Sequence, residues 1–153
     1  LGGKSEMDTI TADYIHLTLN ESVTMELKRL PCEGEDSLLC VVTTWKGPAE
    51  ESNVKFFTQE WQSIIVPKAF EGGDYYELAS RLTQRPDIMS KARYDELCAM
   101  IDPIMLSAKL SIADNVLHVK LSLPLLKADD QRKLSSVMNP IDLHWDGRGF
   151  NTK

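Results

Sequence analysis

Two stretches of this chain read as the same hairpin, ninety-three positions apart. The first is Leu17-Thr18-Leu19-Asn20-Glu21-Ser22-Val23 followed by Met25-Glu26-Leu27-Lys28-Arg29-Leu30-Pro31. The second is Leu110-Ser111-Ile112-Ala113-Asp114-Asn115-Val116 followed by His118-Val119-Lys120-Leu121-Ser122-Leu123-Pro124. Leu17 aligns with Leu110, Val23 with Val116, and Leu30-Pro31 with Leu123-Pro124, without a gap. Apolar and polar residues alternate on each side of a short polar turn, which demands antiparallel strand pairs. The match leaves two readings open: an internal duplication, or two ordinary hairpins obeying one period. The segments between them do not match.

The alternation assigns faces. Ile15, Leu17 and Leu19 share one side of the first strand, with Tyr14, His16 and Thr18 on the other. Val23, Met25 and Leu27 carry the inward face onto the return strand, leaving Thr24, Glu26 and Lys28 outward. In the second hairpin Leu106, Ala108, Leu110 and Ile112 point one way, as do Leu117, Val119, Leu121 and Leu123. Residues 38–45 are apolar and β-branched, which fits a central strand covered on both faces. Residues 54–58 give a fourth strand and 61–66 a short fifth, completing a meander. Residues 1–12 are polar and read as irregular.

Three helices follow from the 3.6-residue period. One covers residues 76–82 and stops before Arg85-Pro86. A second is capped by Ser90, with Tyr94, Leu97, Cys98 and Ile101 at i, i+3, i+4 and i+7. A third covers 128–138, with Asp129 and Asp130 where the helix dipole favours negative charge, and a stripe of Leu134, Val137 and Met138. Residues 141–145 form a last strand, followed by a turn at Asp146-Gly147-Arg148-Gly149 and a tail. Strand runs followed by helices indicate an α+β fold. The expectation is a single domain over 1–153, with an antiparallel sheet of about six or seven strands and two or three helices packed on one face.

Charge narrows the partners. At 153 residues and a net charge of −6, the chain is long enough for a real core and acidic overall. That balance argues against nucleic-acid backbones and anionic membrane surfaces. No apolar run reaches the length of a membrane span. The chain starts Leu1-Gly2-Gly3-Lys4 without an initiator Met, so an upstream segment is expected to have been removed.

No reaction centre is visible. There is no G-x-S-x-G elbow, no metal-ligand Cys pair and no phosphate-binding Gly loop with its Lys. Cys32 and Cys40 flank the turn 33–37, which leaves open a cross-strand disulfide or, for Cys40, a buried free thiol. His16, His118 and His144 all fall in strands, away from the apolar sets. They would converge as metal ligands only if the three strands were neighbours; otherwise they are solvated. Carboxylates lie in turns and at a helix N-terminus, where solvent and dipole account for them. Trp45, Trp61 and Trp145 sit near strand ends, as core residues or as exposed stacking surfaces. The irregular region 67–74, followed by Tyr75 and Tyr76, is either a flap over a sheet edge or a recognition loop. A binding surface is expected at Trp45, Phe70, Tyr75 and Tyr76, with no catalytic residue, metal or cofactor.

Several short runs carry a resemblance: Gly2-Gly3-Lys4-Ser5-Glu6-Met7, Thr11-Ala12-Asp13-Tyr14-Ile15, Glu26-Leu27-Lys28-Arg29-Leu30-Pro31, Phe56-Phe57-Thr58-Gln59-Glu60-Trp61, Met105-Leu106-Ser107-Ala108-Lys109-Leu110-Ser111 and His144-Trp145. Their order resembles an uncharacterised domain-of-unknown-function family of small exported proteins from Bacteroidales. The resemblance implies an envelope or periplasmic location and fits the missing Met. It implies no activity and no catalytic residue. The functional expectation is a non-enzymatic envelope module that binds a protein or glycan. The alternative is a small hydrolase whose carboxylates or histidines converge only in three dimensions.

Overall fold

The computed structural model describes residues 4–34, 36–66, 73–123 and 126–152, with side chains described except at 73–75. β1 (Glu6–Ile10), β2 (Tyr14–Asn20), β3 (Val23–Pro31), β4 (Ser37–Lys46), β5 (Glu50–Phe57) and β6 (Ser63–Ile64) form a six-stranded antiparallel meander in sequence order. α1 (Gly73–Arg81) and α2 (Lys91–Cys98) follow. β7 (Met105–Leu110) and β8 (Val116–Ser122) form the second hairpin. α3 (Ala128–Ser135) leads to β9 (Ile141–Trp145) and β10 (Phe150–Asn151), giving a four-stranded sheet ordered β10-β9-β8-β7.

Among the described residues the architecture is therefore two antiparallel sheets with three helices, which corrects the expectation of one sheet of six or seven strands. Strand period alone does not say which strands pair. The second hairpin continues into β9 rather than adding to the meander, because the α1–α2 segment carries the chain away from the edge at β6. β1 and β10 are strands that the polar ends of the sequence conceal. α2 starts where Ser90 caps it, its hydroxyl accepting from Arg93 N at 3.2 Å. α3 ends at Ser135, three residues short of the expected span, and Val137 and Met138 lie beyond it. There Gln84 N donates to Val137 O at 2.8 Å and Asn139 N to Leu82 O at 2.8 Å, tying the ends of α1 and α3 together.

The core lies between the sheets. Tyr14, Leu30, Val42, Val54 and Phe56 on the inner face of the six-stranded sheet meet Leu106, Leu117, Val119 and Leu143 of the other sheet, with Leu82, Leu97 and Leu134 from around the helices. Trp145 is buried here. Its ring centroid is 6.0 Å from Phe56 and 5.3 Å from Phe150, and its indole N–H donates to Pro31 O at 2.5 Å. The other two tryptophans, Trp45 and Trp61, are exposed.

The first hairpin is packed in the opposite sense to its sequence pattern. Thr24, Glu26, Lys28 and Leu30 are buried, while Val23, Met25 and Leu27 are half-exposed on the outer face. In the second hairpin the aligned positions Leu117, Val119 and Leu121 are buried too, but they are apolar. The two hairpins thus bury equivalent positions with different chemistry. The reason lies in what each inner face touches.

Candidate functional site

An edge strand carries a row of backbone N–H and C=O groups that must find partners. β7 is the edge of the four-stranded sheet, and it sets that edge down across the inner face of β5, β4 and β3. Side chains of those strands take the place of a neighbouring strand. Ser52 Oγ accepts from Ala108 N at 3.0 Å and donates toward Ala108 O at 3.3 Å. It also shares a 2.7 Å hydrogen bond with Thr44 Oγ1. Glu26 Oε2 accepts from Leu110 N at 3.4 Å, and its Oε1 accepts from Tyr14 Oη at 2.7 Å. Lys28 Nζ donates to the carbonyls of Ser111, Ile112 and Asp114 at 2.7, 3.2 and 2.7 Å, capping the turn of the second hairpin. This explains why the return strand of the first hairpin buries polar residues.

The standing edge of β7 divides the inner face. On one side lies the apolar core. On the other, the polar end of the six-stranded sheet faces the polar side of the four-stranded sheet across a cleft of about 640 Å³. That volume is in the range of small-molecule sites. One wall carries His16, Thr24, Glu26, Thr44, Lys46 and Glu50; the other carries Ser107, Lys109, His118, Lys120 and Asp142. Pro140 and Ile141 supply part of the apolar lining. The lining thus places hydroxyls, amines, imidazoles and carboxylates side by side.

Two histidine–aspartate pairs belong to this cleft. His16 Nδ1 is paired with Asp8 Oδ1 across β1 and β2, and Thr18 Oγ1 donates to Asp8 Oδ2 at 2.8 Å. Those hydrogen bonds, from His16 first and Thr18 second, hold the Asp8 carboxyl below its usual range. His118 Nδ1 is paired with Asp142 Oδ1 at 2.6 Å across β8 and β9. Burial pushes the Glu26 carboxyl up, against the opposing effect of the Tyr14 hydrogen bond. Burial and the neighbouring Glu26 raise the Tyr14 hydroxyl in turn. Ser107 Oγ donates to Glu50 Oε2 at 3.0 Å.

Two of the three histidines thus come to one site. His144 is not in the cleft lining. No group of three His, Cys, Asp or Glu stands ready for a metal ion among the described residues. Cys40 is opposite Lys28 and Phe56 in the strand register, not opposite Cys32, so both thiols are free and the disulfide reading is set aside. Burial raises both thiols above their usual range.

Of the four residues expected to bind, the two whose side chains are described, Trp45 and Tyr76, are not in the cleft lining. Trp45, 46% exposed, lies at the end of β4 on the outer face, in register with Val23 and Glu51. Tyr76, 69% exposed, is on α1, whose Leu78 and Ala79 join the core on the inner side. Phe70 and the Tyr75 side chain lie outside the described residues. The cleft residues Ser107, Lys109 and Lys120 were not singled out by sequence. The only signal for them is their alternation against Leu106, Ala108 and Leu110, which is shared by any solvated strand face.

No functionally curated protein matches this sequence. A solved structure of a domain of an uncharacterized protein from Porphyromonas gingivalis W83 shares the fold, with a TM-score of 0.74 over 100% of this chain and 82% of that one, at 17% identity. The model of a family described as protein of unknown function (DUF3256) matches residues 1–150, and the chain belongs to that family.

Proposed function

We propose that this protein is a non-enzymatic binding module of the cell envelope whose ligand, a saccharide, occupies the cleft between the two sheets. The observation that carries the reading is the cleft's mixed lining of donors and acceptors around about 640 Å³. Sugar hydroxyls both donate and accept, and such a lining satisfies them from both walls. Its carboxylates already have structural partners: Glu26 holds Tyr14 and Leu110, and Glu50 holds Ser107. The envelope location rests on the resemblance to exported proteins. A larger partner would find exposed rings at Trp45 and Tyr76, outside the cleft.

The test is a thermal-shift panel of neutral, amino and uronic saccharides against the wild type and a Lys109→Ala/Lys120→Ala variant. The reading predicts that at least one saccharide class raises the wild-type Tm and leaves the variant unmoved. A panel without a shift, or equal shifts in both proteins, overturns it.

One observation favours a second reading as a hydrolase. Glu26 lines the cleft with its carboxyl pushed up by burial, the direction of shift that suits a general acid. Release of reducing ends from an oligosaccharide, lost in Glu26→Gln, would support this reading over the first.

A further inference from the structure

The charged groups on the cleft lining balance formally, three lysines against three carboxylates, but their bonding does not. Each carboxylate already has a partner. Glu26 accepts from Tyr14 and Leu110, Glu50 accepts from Ser107, and Asp142 is paired with His118. Burial raises the Glu26 carboxyl, so it holds its charge less readily than a solvated one, while His16 and Lys109 act in the opposite sense. The lysines have no such partners. Lys46, Lys109 and Lys120 make no side-chain hydrogen bond or ion pair among the described residues. Lys46 stands in register with Glu50 without an ion pair to it.

The strand register gathers two of these lysines on one wall. Lys109 on β7 faces His118 on β8, and Ser107 faces Lys120. Lys109 and Lys120 therefore stand on one diagonal of the β7–β8 pair, on the same face, with backbones about 7–8 Å apart. The wall's one carboxylate, Asp142, lies a strand further on, opposite His118 and bonded to it. Glu50 reaches this wall from across the cleft at Ser107, and forms no ion pair with Lys120. Two like charges so placed repel one another unless an anion lies between them. An anionic ligand group accepts from both ammoniums in charge-assisted hydrogen bonds, and sugar hydroxyls beside it meet the donors and acceptors of the opposite wall. The chain carries a net charge of −6, so it has no general attraction for anions and the preference is local to the cleft. We infer, resting on the saccharide reading of the cleft, that its ligand is an acidic saccharide whose anionic group, a uronate carboxylate or a sulfate ester, lies between the ammoniums of Lys109 and Lys120.

Isothermal titration calorimetry with matched pairs tests it. Uronate oligosaccharides are compared with the same chains after reduction of their carboxyls to alcohols, and sulfated oligosaccharides with their desulfated forms. At least one acidic chain is expected to bind the wild type about tenfold or more tighter than its neutral counterpart, and the pair that does so identifies the anionic group. Lys109→Gln/Lys120→Gln is expected to remove that difference. Lys55→Gln, whose lysine is exposed between the buried Val54 and Phe56 on the reverse face of the six-stranded sheet, is expected to keep it. All three lysines are exposed, so the variants should fold, and their Tm checks this. Neutral chains that bind as tightly as their acidic counterparts overturn the inference and leave the saccharide reading standing. Acidic chains that do not bind overturn the inference alone if neutral or amino saccharides still raise the Tm, and together with the saccharide reading if none does. An acidic preference that survives the double substitution, or that Lys55→Gln weakens equally, also overturns the inference, because the charge then acts from elsewhere.

Discussion

The ammonium of Lys28, on the first hairpin, sits 2.7 Å from the carbonyl oxygen of Asp114 in the turn of the second. With Ser111 and Ile112 it gathers three carbonyls around one charge, and the side chain is almost completely buried. A buried cation is stable only when its donors are satisfied, and here the turn supplies the acceptors. Lys28→Met keeps the volume and removes all three hydrogen bonds. Chemical denaturation should show a loss of about 3 kcal/mol. A change below about 1 kcal/mol would mean that the turn does not depend on the capping charge.

Ser52 makes the same argument on a smaller scale. Its hydroxyl serves both backbone groups of Ala108. Ser52→Ala leaves a buried N–H unpaired and should cost about 2 kcal/mol. Hydrogen exchange at the Ala108 amide should accelerate more than at Val119, in the middle of its sheet.

Glu26 gives the fold a pH dependence with a definite sign. Burial raises its carboxyl above the ordinary 4.5. The folded state therefore holds the proton more tightly than the unfolded chain. The stabilisation is fully present below the ordinary value and is lost as pH rises through the folded one. Glu26→Gln removes this titration. The variant's stability relative to wild type should climb as pH rises from about 4.5 and then level off. A relative stability independent of pH would show that Glu26 does not titrate above its ordinary range.

The tryptophans separate core from surface. Trp145→Ala empties the aromatic cluster with Phe56 and Phe150 and should cost about 4 kcal/mol. Trp45→Ala should change the stability by less than about 1 kcal/mol. Urea titrations make the comparison.

Much of the strand pattern could be read from the chain, and its handedness toward the core could not. The buried sets Leu117–Val119–Leu121 and Leu106–Ala108–Leu110 followed from alternation, whereas Ile112, expected on the same face, is exposed beyond the end of β7; the Ser90 cap and the last strand from Ile141 to Trp145 were legible as well. Alternation in the first hairpin gave the two faces of β3 correctly but put Met25 and Leu27 inside. Apolar content decides which face is buried only when the core opposite is apolar. Here the opposing element is a strand edge, which needs Ser52, Glu26 and Lys28. No local signal marks such an edge-on contact, because it joins residues 56 to 86 positions apart. The cleft was illegible for the same reason: His16 and His118 come to the walls of one cleft only once β7 stands on the sheet. Trp61 was a different miss. Its backbone is in the left-handed region at φ 61°, with its ring 5.8 Å from Phe57, a turn geometry that a tryptophan does not announce.

The measurement closest to the central claim is an amide-resolved NMR titration of the protein with the saccharide that most raises its Tm. The account predicts shifts concentrated at His16, Ser107, Lys109, His118 and Lys120, on both walls of the cleft. Shifts confined to Tyr76 and α1, or to Trp45 and the outer face, would contradict it and place the binding site elsewhere.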